Sequence, residues 1–230
     1  MMINLDKIEK NIGISFKNKS LLQNALVHRS YLNENPDFEL SDNERLEFLG
    51  DAVLELIVTD FLYKNSEEPE GILTNFRASL VNTKMLASVS EKLDIKDYLY
   101  LSKGEKNSID ERSKIGILAD SCEAIIGALY LDQGLEIAKK FITENILTNF
   151  DKIVKEKSYV DYKTYFQEAA QAKVGITPTY EVMNESGPDH DKEFEIGVYL
   201  NEELIAIGKG KNKQSAQEEA AKNATDLKDW

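Results

Sequence analysis

The stretch Ile115–Leu131, IGILADSCEAIIGALYL, decides how the larger, N-terminal part of this chain folds. It contains two charges, Asp120 and Glu123, and both are acidic. A helix that is apolar on every side is buried. Two carboxylates three residues apart share a helix face, and Gly127 lies on that face and leaves room beside them. Burying two like charges together is costly unless something neutralises them. A raised pKa is one escape and a bound cation is another. A capped or salt-bridged pair inside a core is the plain alternative.

A second stretch, Glu44–Phe61, ERLEFLGDAVLELIVTDF, carries its own acids. At about 100° per residue, Glu44, Glu47, Asp51 and Glu55 fall within a stripe of roughly 80°. Glu47 and Asp51, at i and i+4, can aim at one point. No Lys stands at helical spacing to pair with them, and Arg45 points elsewhere. An acidic, solvated face on an amphipathic helix is the plain alternative here. Taken together, the two helices favour a shared carboxylate cluster. Oxygen donors without His or Cys suit Mg²⁺ or Mn²⁺. A site with one or two such ions is what metal-assisted phosphodiester hydrolysis needs.

The surrounding sequence is consistent with a folded, two-part chain. Its 230 residues allow one large domain or two small ones. Apolar residues are 42% and charged residues 30%, enough to bury a core and unlike a disordered tail. One Cys excludes an intramolecular disulfide and a Cys-rich zinc site, and two His exclude a multi-His metal site. A cytoplasmic setting is expected, since the N-terminus MMINLDKIEKN has no secretory-signal pattern and no apolar run is long enough to span a membrane. Net charge is −13, which taken alone argues against nucleic acid. Residues 1–150 carry a net −8 and residues 151–230 a net −5, so a polyanion would have to meet a local patch.

Residues 1–150 read as all-α. Apolar positions recur at helical spacing in Leu21–Leu32, Asn43–Tyr63, Leu73–Leu93, Ile115–Leu131 and Glu136–Ile146. Stops are legible at Asn35-Pro36, at Glu68-Pro69-Glu70-Gly71 and at Asp132-Gln133-Gly134. Ser41, Asp42 and Asn43 are good N-caps for the helix after them, and Thr74 or Asn75 for the next. Residues 151–160, DKIVKEKSYV, lack an apolar face and read as a linker or an extension of the last helix. Residues 161–230 then read as α+β. A helix at Tyr162–Lys173 is followed by strands at Thr179–Ser186, Glu193–Leu200 and Leu204–Gly208, and by a helix at Lys213–Leu227. Ala216, Ala220, Ala221, Ala224 and Leu227 fall on one face of that last helix, and the small residues suit close packing on a sheet.

The run Asn43-Glu44-Arg45-Leu46-Glu47-Phe48-Leu49-Gly50-Asp51-Ala52-Val53-Leu54 resembles the signature segment of ribonuclease III. Ala25–Tyr31, ALVHRSY, looks like the opening helix of that family, and Ile117–Ala124, ILADSCEA, like its second acidic helix. The α-β-β-β-α tail is similar to a double-stranded-RNA-binding domain. The resemblance covers essentially the whole chain, in the bacterial order of nuclease domain first.

It implies metal ligands at Glu47, Asp51, Asp120 and Glu123, with Asp51 and Glu123 catalytic and Glu44 a supporting acid. The burial argument reaches the same four side chains. The resemblance also implies a Mg²⁺-dependent endoribonuclease with Mn²⁺ as a substitute, and no small-molecule cofactor. It implies a homodimer that cuts both strands of an RNA duplex, leaving 5′-phosphate and 3′-hydroxyl ends with short 3′ overhangs. Processing of ribosomal RNA precursors and messages is the family expectation. Phe48 falls where bacterial members insert an aromatic into the partner subunit; the alternative is an ordinary core residue.

In the tail, Gln167, Glu168 and Gln171 match the family's minor-groove readers, and His190 matches the loop that enters the next minor groove. Lys209, Lys211 and Lys213 flank a helix start, where free N–H groups also favour phosphate. Recognition of A-form RNA needs such polar groups for 2′-hydroxyls and cations for phosphates. Residues 208–214, GKGKNKQ, carry +3 and no acid, the local patch that net charge seemed to deny. Gln and Glu on a helix surface are usually just solvated, so order and spacing carry this set. Gln214 and Ser215 depart from the basic residues usual there, and Ser108-Ile109-Asp110 departs from a Gly-rich stretch. Cys122 and His28 are read as structural. Two rivals stand beside the nuclease reading: a non-catalytic duplex-RNA-binding protein on the same scaffold, and a phosphohydrolase of small molecules.

Overall fold

The computed structural model describes residues 4–107, 110–188 and 192–230, and its helices begin where the local chemistry starts them. Helices α1 (Leu5–Ile12) and α2 (Lys19–Ala25) follow Asn4 and Asn18, whose side-chain oxygens accept the N–H groups of Lys7 and Ser20. Helix α3 (Arg29–Glu34) follows His28, whose ring nitrogen accepts the Ser30 N–H. Leu21–Leu32 is therefore two helices rather than one. Between them Val27 leaves the helix to bridge Tyr100, with Tyr100 N–H on the Leu26 carbonyl and His28 N–H on the Tyr100 carbonyl.

Helix α4 spans Glu44–Asn65. Asn43 stands at its N-cap position, but its side-chain amide donates to the Ala25 carbonyl, while an Asp42 oxygen accepts the Glu44 N–H. Pro69 starts α5 (Glu70–Val81) rather than stopping a helix, because its missing N–H is not needed at a helix start. Thr74 and Asn75 thus lie inside α5 and cap nothing. Asn82 ends α5 and caps α6 (Thr83–Lys92) by accepting the Met85 N–H at 2.9 Å, so Leu73–Leu93 is also two helices. A short α7 (Lys103–Asn107) precedes α8 (Glu111–Gln133), α9 (Leu135–Asn145) and α10 (Phe150–Glu156).

Helix α8 is the spine. Eleven of its residues are buried, including Leu118, Cys122, Ile125, Ile126 and Leu129, and α4, α6, α2 and α9 pack around it. Asp132 near its end accepts the Lys17 and Asn18 N–H groups at 2.8 Å each, tying α8 to the start of α2. Residues 151–160, expected to be a linker or an extension of the preceding helix, are helical from 151 to 156, in a helix of their own. Ile153 of α10 is 5% exposed and Phe150 packs edge-on against Phe61 and Phe76, which gives this segment the apolar anchor its charges disguise.

The chain divides into two compact units, the second running Val160–Trp230. In it, α11 (Tyr162–Val174) precedes an antiparallel sheet of β1 (Thr179–Ser186), β2 (Glu193–Leu200) and β3 (Glu203–Gly210), in the order β1-β2-β3. Helix α12 (Lys213–Lys228) closes it. Ala216, Ala220, Ala221 and Ala224 are fully buried, whereas Leu227, expected on the same face, is 68% exposed near the helix end; Val198, Ile205 and Phe166 join Ala220, Ala221 and Ala224 in a separate core. No described helix is long and apolar enough to cross a membrane.

Candidate active site and nucleic-acid face

Gly50 and Gly127 set the geometry of the acidic site. A Cβ added to Gly50 would lie 2.6 Å from the Glu123 carbonyl carbon and 2.9 Å from the Gly127 nitrogen. A Cβ added to Gly127 would lie 3.1 Å from the Gly50 nitrogen and overlap the Leu46 carbonyl oxygen. The backbones of α4 and α8 therefore touch at this point. Gly127 does not leave open room beside the acids; that space is filled by the backbone of α4. Gly50, its counterpart, escapes the sequence reading. The available signal is that a glycine inside an apolar helix costs about 1 kcal/mol relative to alanine, and so marks a close approach.

This contact brings the acids of α4 to the acids of α8. Asp51 is exposed, while Glu47, Asp120 and Glu123 are partly buried. Burial pushes the Glu123 carboxyl up to about 8, reinforced by repulsion from Asp51, Glu47, Asp120 and Glu55. Glu47 is raised by burial and then by Asp120, Glu44, Asp51 and Asp42. Asp120 is raised by burial, offset in part by the His28 ring and by its own N–H. Among the described residues, none of these four has an ion-pair partner.

The rest of the α4 stripe behaves differently. Arg77 Nε lies 3.0 Å from Glu55, and Arg29 lies 3.3 Å from Glu44. Both arginines come from other helices, so the helical spacing of α4 could not reveal them. Pairing thus divides the stripe into two neutralised acids and two that face α8 without a cation. The four uncompensated carboxylates offer only oxygen, the donor chemistry of a hard divalent ion. Among the described residues no three His, Cys, Asp or Glu groups converge tightly enough to enclose a metal as they stand. The set is one of facing like charges, not a closed cage.

Phe48 is 81% exposed on α4, which removes the core reading. Leu56 and Tyr63 are also exposed further along this helix. Cys122 is fully buried beside Ser90, and burial pushes its thiol up to about 12, an inert core position.

In the second unit, Gln167, Glu168 and Gln171 are exposed along α11 and line an open hollow with Ala172 and Thr177. Thr177 donates its hydroxyl to the Gln171 side-chain oxygen at 3.3 Å, a contact that the helix pattern could not show. Lys209 and Lys213 are exposed; Lys209 Nζ stands 3.9 Å from Glu195, and Lys213 Nζ lies over the Phe194 ring. Lys211 is exposed between them. Ser215 completes a capping box: Asn212 accepts its N–H at 2.8 Å, and its hydroxyl accepts the Asn212 N–H. That explains a serine where a cation is usual. His190, Ser108 and Ile109 lie outside the described residues.

The architecture is thus a helical nuclease domain followed by a double-stranded-RNA-binding domain. Residues 18–150 match the Ribonuclease-III-like family model, and residues 162–227 match the Double-stranded RNA binding motif. The chain is 45% identical over 224 residues to Ribonuclease 3 of a Nitratiruptor species, covering 97% of this chain and 96% of that one. It is 43% identical to Ribonuclease 3 of Campylobacter fetus subsp. fetus, covering 96% of each. The solved nuclease domain of ribonuclease III from Campylobacter jejuni superposes with a TM-score of 0.56 at 40% identity, covering 65% of this chain and 97% of that one. The chain belongs to the ribonuclease III family, whose members are metal-dependent nucleases.

Proposed function

We propose that the protein is an endoribonuclease that cleaves double-stranded RNA as a homodimer, using Mg²⁺, with Mn²⁺ as a substitute. The observation that carries the reading is the set of four carboxylates without cations, held face to face by the Gly50–Gly127 contact. Glu47, Asp51, Asp120 and Glu123 would hold the metal, with Asp51 and Glu123 nearest the chemistry and Glu44 in support. When bound, a divalent cation supplies charge neutralisation at the phosphoryl oxygens and nucleophilic water near neutral pH.

The chain's own residues do the rest. The facing acids would repel phosphate until their charge is met. Glu123, raised to about 8 by burial and by its acidic neighbours, holds a proton at neutral pH in the metal-free site. Gln167, Glu168 and Gln171 meet the minor groove, His190 the next groove, and Lys209, Lys211 and Lys213 the phosphates between. Phe48 enters the partner subunit, which removes a large exposed ring from water. A solved Campylobacter jejuni nuclease domain is described with a region involved in dimer formation, which supports that reading. The products are 5′-phosphate and 3′-hydroxyl ends with short 3′ overhangs. Ribosomal RNA precursors and messages in the cytoplasm are the targets.

The test is cleavage of a perfectly paired, end-labelled RNA duplex in Mg²⁺ and then in EDTA. Staggered cuts that vanish with EDTA are expected. Binding without cutting in Mg²⁺ and in Mn²⁺ overturns the catalytic reading in favour of a non-catalytic duplex binder. Failure to shift duplex RNA on a gel points to a small-molecule phosphohydrolase.

A further inference from the structure

Gln171 on α11 has its amide held by a residue from beyond the helix. The Thr177 hydroxyl donates to the Gln171 side-chain oxygen at 3.3 Å. A threonine hydroxyl has one proton to give, and a primary amide has one oxygen and two N–H donors. With the oxygen turned to Thr177, the N–H donors of Gln171 point away from it. Both side chains are exposed and line the same hollow as Gln167 and Glu168.

The local chain fixes where that hydroxyl sits. Gly175, at φ 70°, ends α11 in the left-handed region, and its N–H returns to the Gln171 carbonyl at 3.1 Å. This turn brings the chain back past Gln171. Ile176 then packs on the core of this unit and Pro178 is buried, so Thr177 stands exposed between two anchored neighbours. A residue before proline is kept extended, and a β-branched side chain is stiff at χ1. Thr177 is therefore a rigid partner to which the longer Gln171 side chain adjusts.

In the minor groove an A·U pair shows only acceptors, whereas a G·C pair adds the guanine 2-amino donor. The wide, shallow groove of A-form RNA leaves these edges within reach. We propose that Thr177 is a positioning residue for RNA recognition, which holds Gln171 with its N–H donors outward and so biases the contact toward A·U pairs. The inference rests on the reading of Gln171 as a minor-groove contact and adds a base preference to it. Freed of Thr177, the amide can turn its oxygen to the guanine donor and meets G·C as well as A·U.

The test is binding of the full chain to two RNA duplexes of equal length, one with only A·U pairs and one with only G·C pairs. Fluorescence anisotropy in EDTA gives both affinities without cleavage. The readout is the A·U-over-G·C affinity ratio of each variant relative to wild type, so that groove width and the other contacts cancel. Thr177→Val keeps the shape of the side chain and loses its hydroxyl. Its ratio is expected to fall about 5-fold, the worth of one hydrogen bond, at an unchanged melting temperature. Thr177→Ser restores the hydroxyl and keeps the wild-type ratio. An unchanged ratio in Thr177→Val, or an equal loss in Thr177→Ser, refutes the positioning role. A raised ratio in Thr177→Val means that the amide oxygen faces the groove, which refutes the proposed orientation. If Gln171→Ala binds both duplexes as wild type does, Gln171 meets no RNA, and the minor-groove reading itself fails.

Discussion

Gly50→Ala tests the contact on which the acidic site depends. The new Cβ would stand 2.6 Å from the Glu123 carbonyl carbon, where ordinary contact begins at 3.4 Å. The obstacle is backbone inside two long helices, not the end of a flexible side chain. The helices must therefore separate by at least about 0.8 Å at this point, the difference of those two distances. Overpacking of this kind costs about 1–3 kcal/mol or more. Alanine returns about 1 kcal/mol of helix propensity. A net loss of about 2 kcal/mol is expected, which lowers the melting temperature of a unit this size by roughly 4–8 °C.

Activity responds more strongly than stability. The displaced carbonyl belongs to Glu123 itself, and a misplacement near 1 Å costs on the order of 10²-fold in rate. Calorimetry in EDTA and single-turnover cleavage of an RNA duplex in Mg²⁺ measure the two effects. A variant that melts higher than wild type and cleaves within about threefold of it would refute the reasoning. Helix propensity would then outweigh the clash, and the two backbones would not be in the contact described.

Other expectations follow from the same geometry. Because Glu123 is raised to about 8 in the folded, metal-free chain, its contribution to stability is fully present below about pH 4.5 and is lost as pH rises through 8. Melting in EDTA therefore falls over that range for wild type and falls less for Glu123→Gln; superimposable curves would refute the assignment. Glu123→Ala is expected to lose cleavage in Mg²⁺ and keep duplex binding, and near-wild-type cleavage would remove it from the ligand set. Phe48→Ala converts a dimer to a monomer in sedimentation velocity while circular dichroism is unchanged, and an intact dimer would place the interface elsewhere. Lys213→Ala weakens duplex binding and lowers the slope of log K against log salt by about 1, and an unchanged slope would mean that it meets no phosphate.

How legible was this molecule? The four facing carboxylates were visible because charge is rare in an apolar helix. Asp120 and Glu123 announced themselves by being the only charges in Ile115–Leu131, and the period-2 pattern of Phe194, Ile196, Val198 and Leu200 marked β2 as clearly. Helix breaks were less visible. Val27 leaves its helix to pair with Tyr100, more than seventy residues away, and Asn82 interrupts a run whose apolar spacing continues across it. Residues 151–160 looked like a linker because a single buried Ile153 and the flanking Phe150 were enough to anchor α10.

The sequence by itself determined the kinds of elements, the order of the two units and which acids sit in apolar helices, since these depend on local period and on burial of charge. Only the tertiary structure decided which acids stay uncompensated. Arg29 and Arg77 neutralise Glu44 and Glu55 from other helices, while Glu47 and Asp51, on the side of α4 toward the acids of α8, have no Lys or Arg partner among the described residues. It also decided that Gly50 and Gly127 form one contact, and that His28 caps α3 through its ring. The reason is the range of the forces. A helix period constrains neighbours three or four residues away, whereas pairing and close approach join residues that only the folded chain makes neighbours.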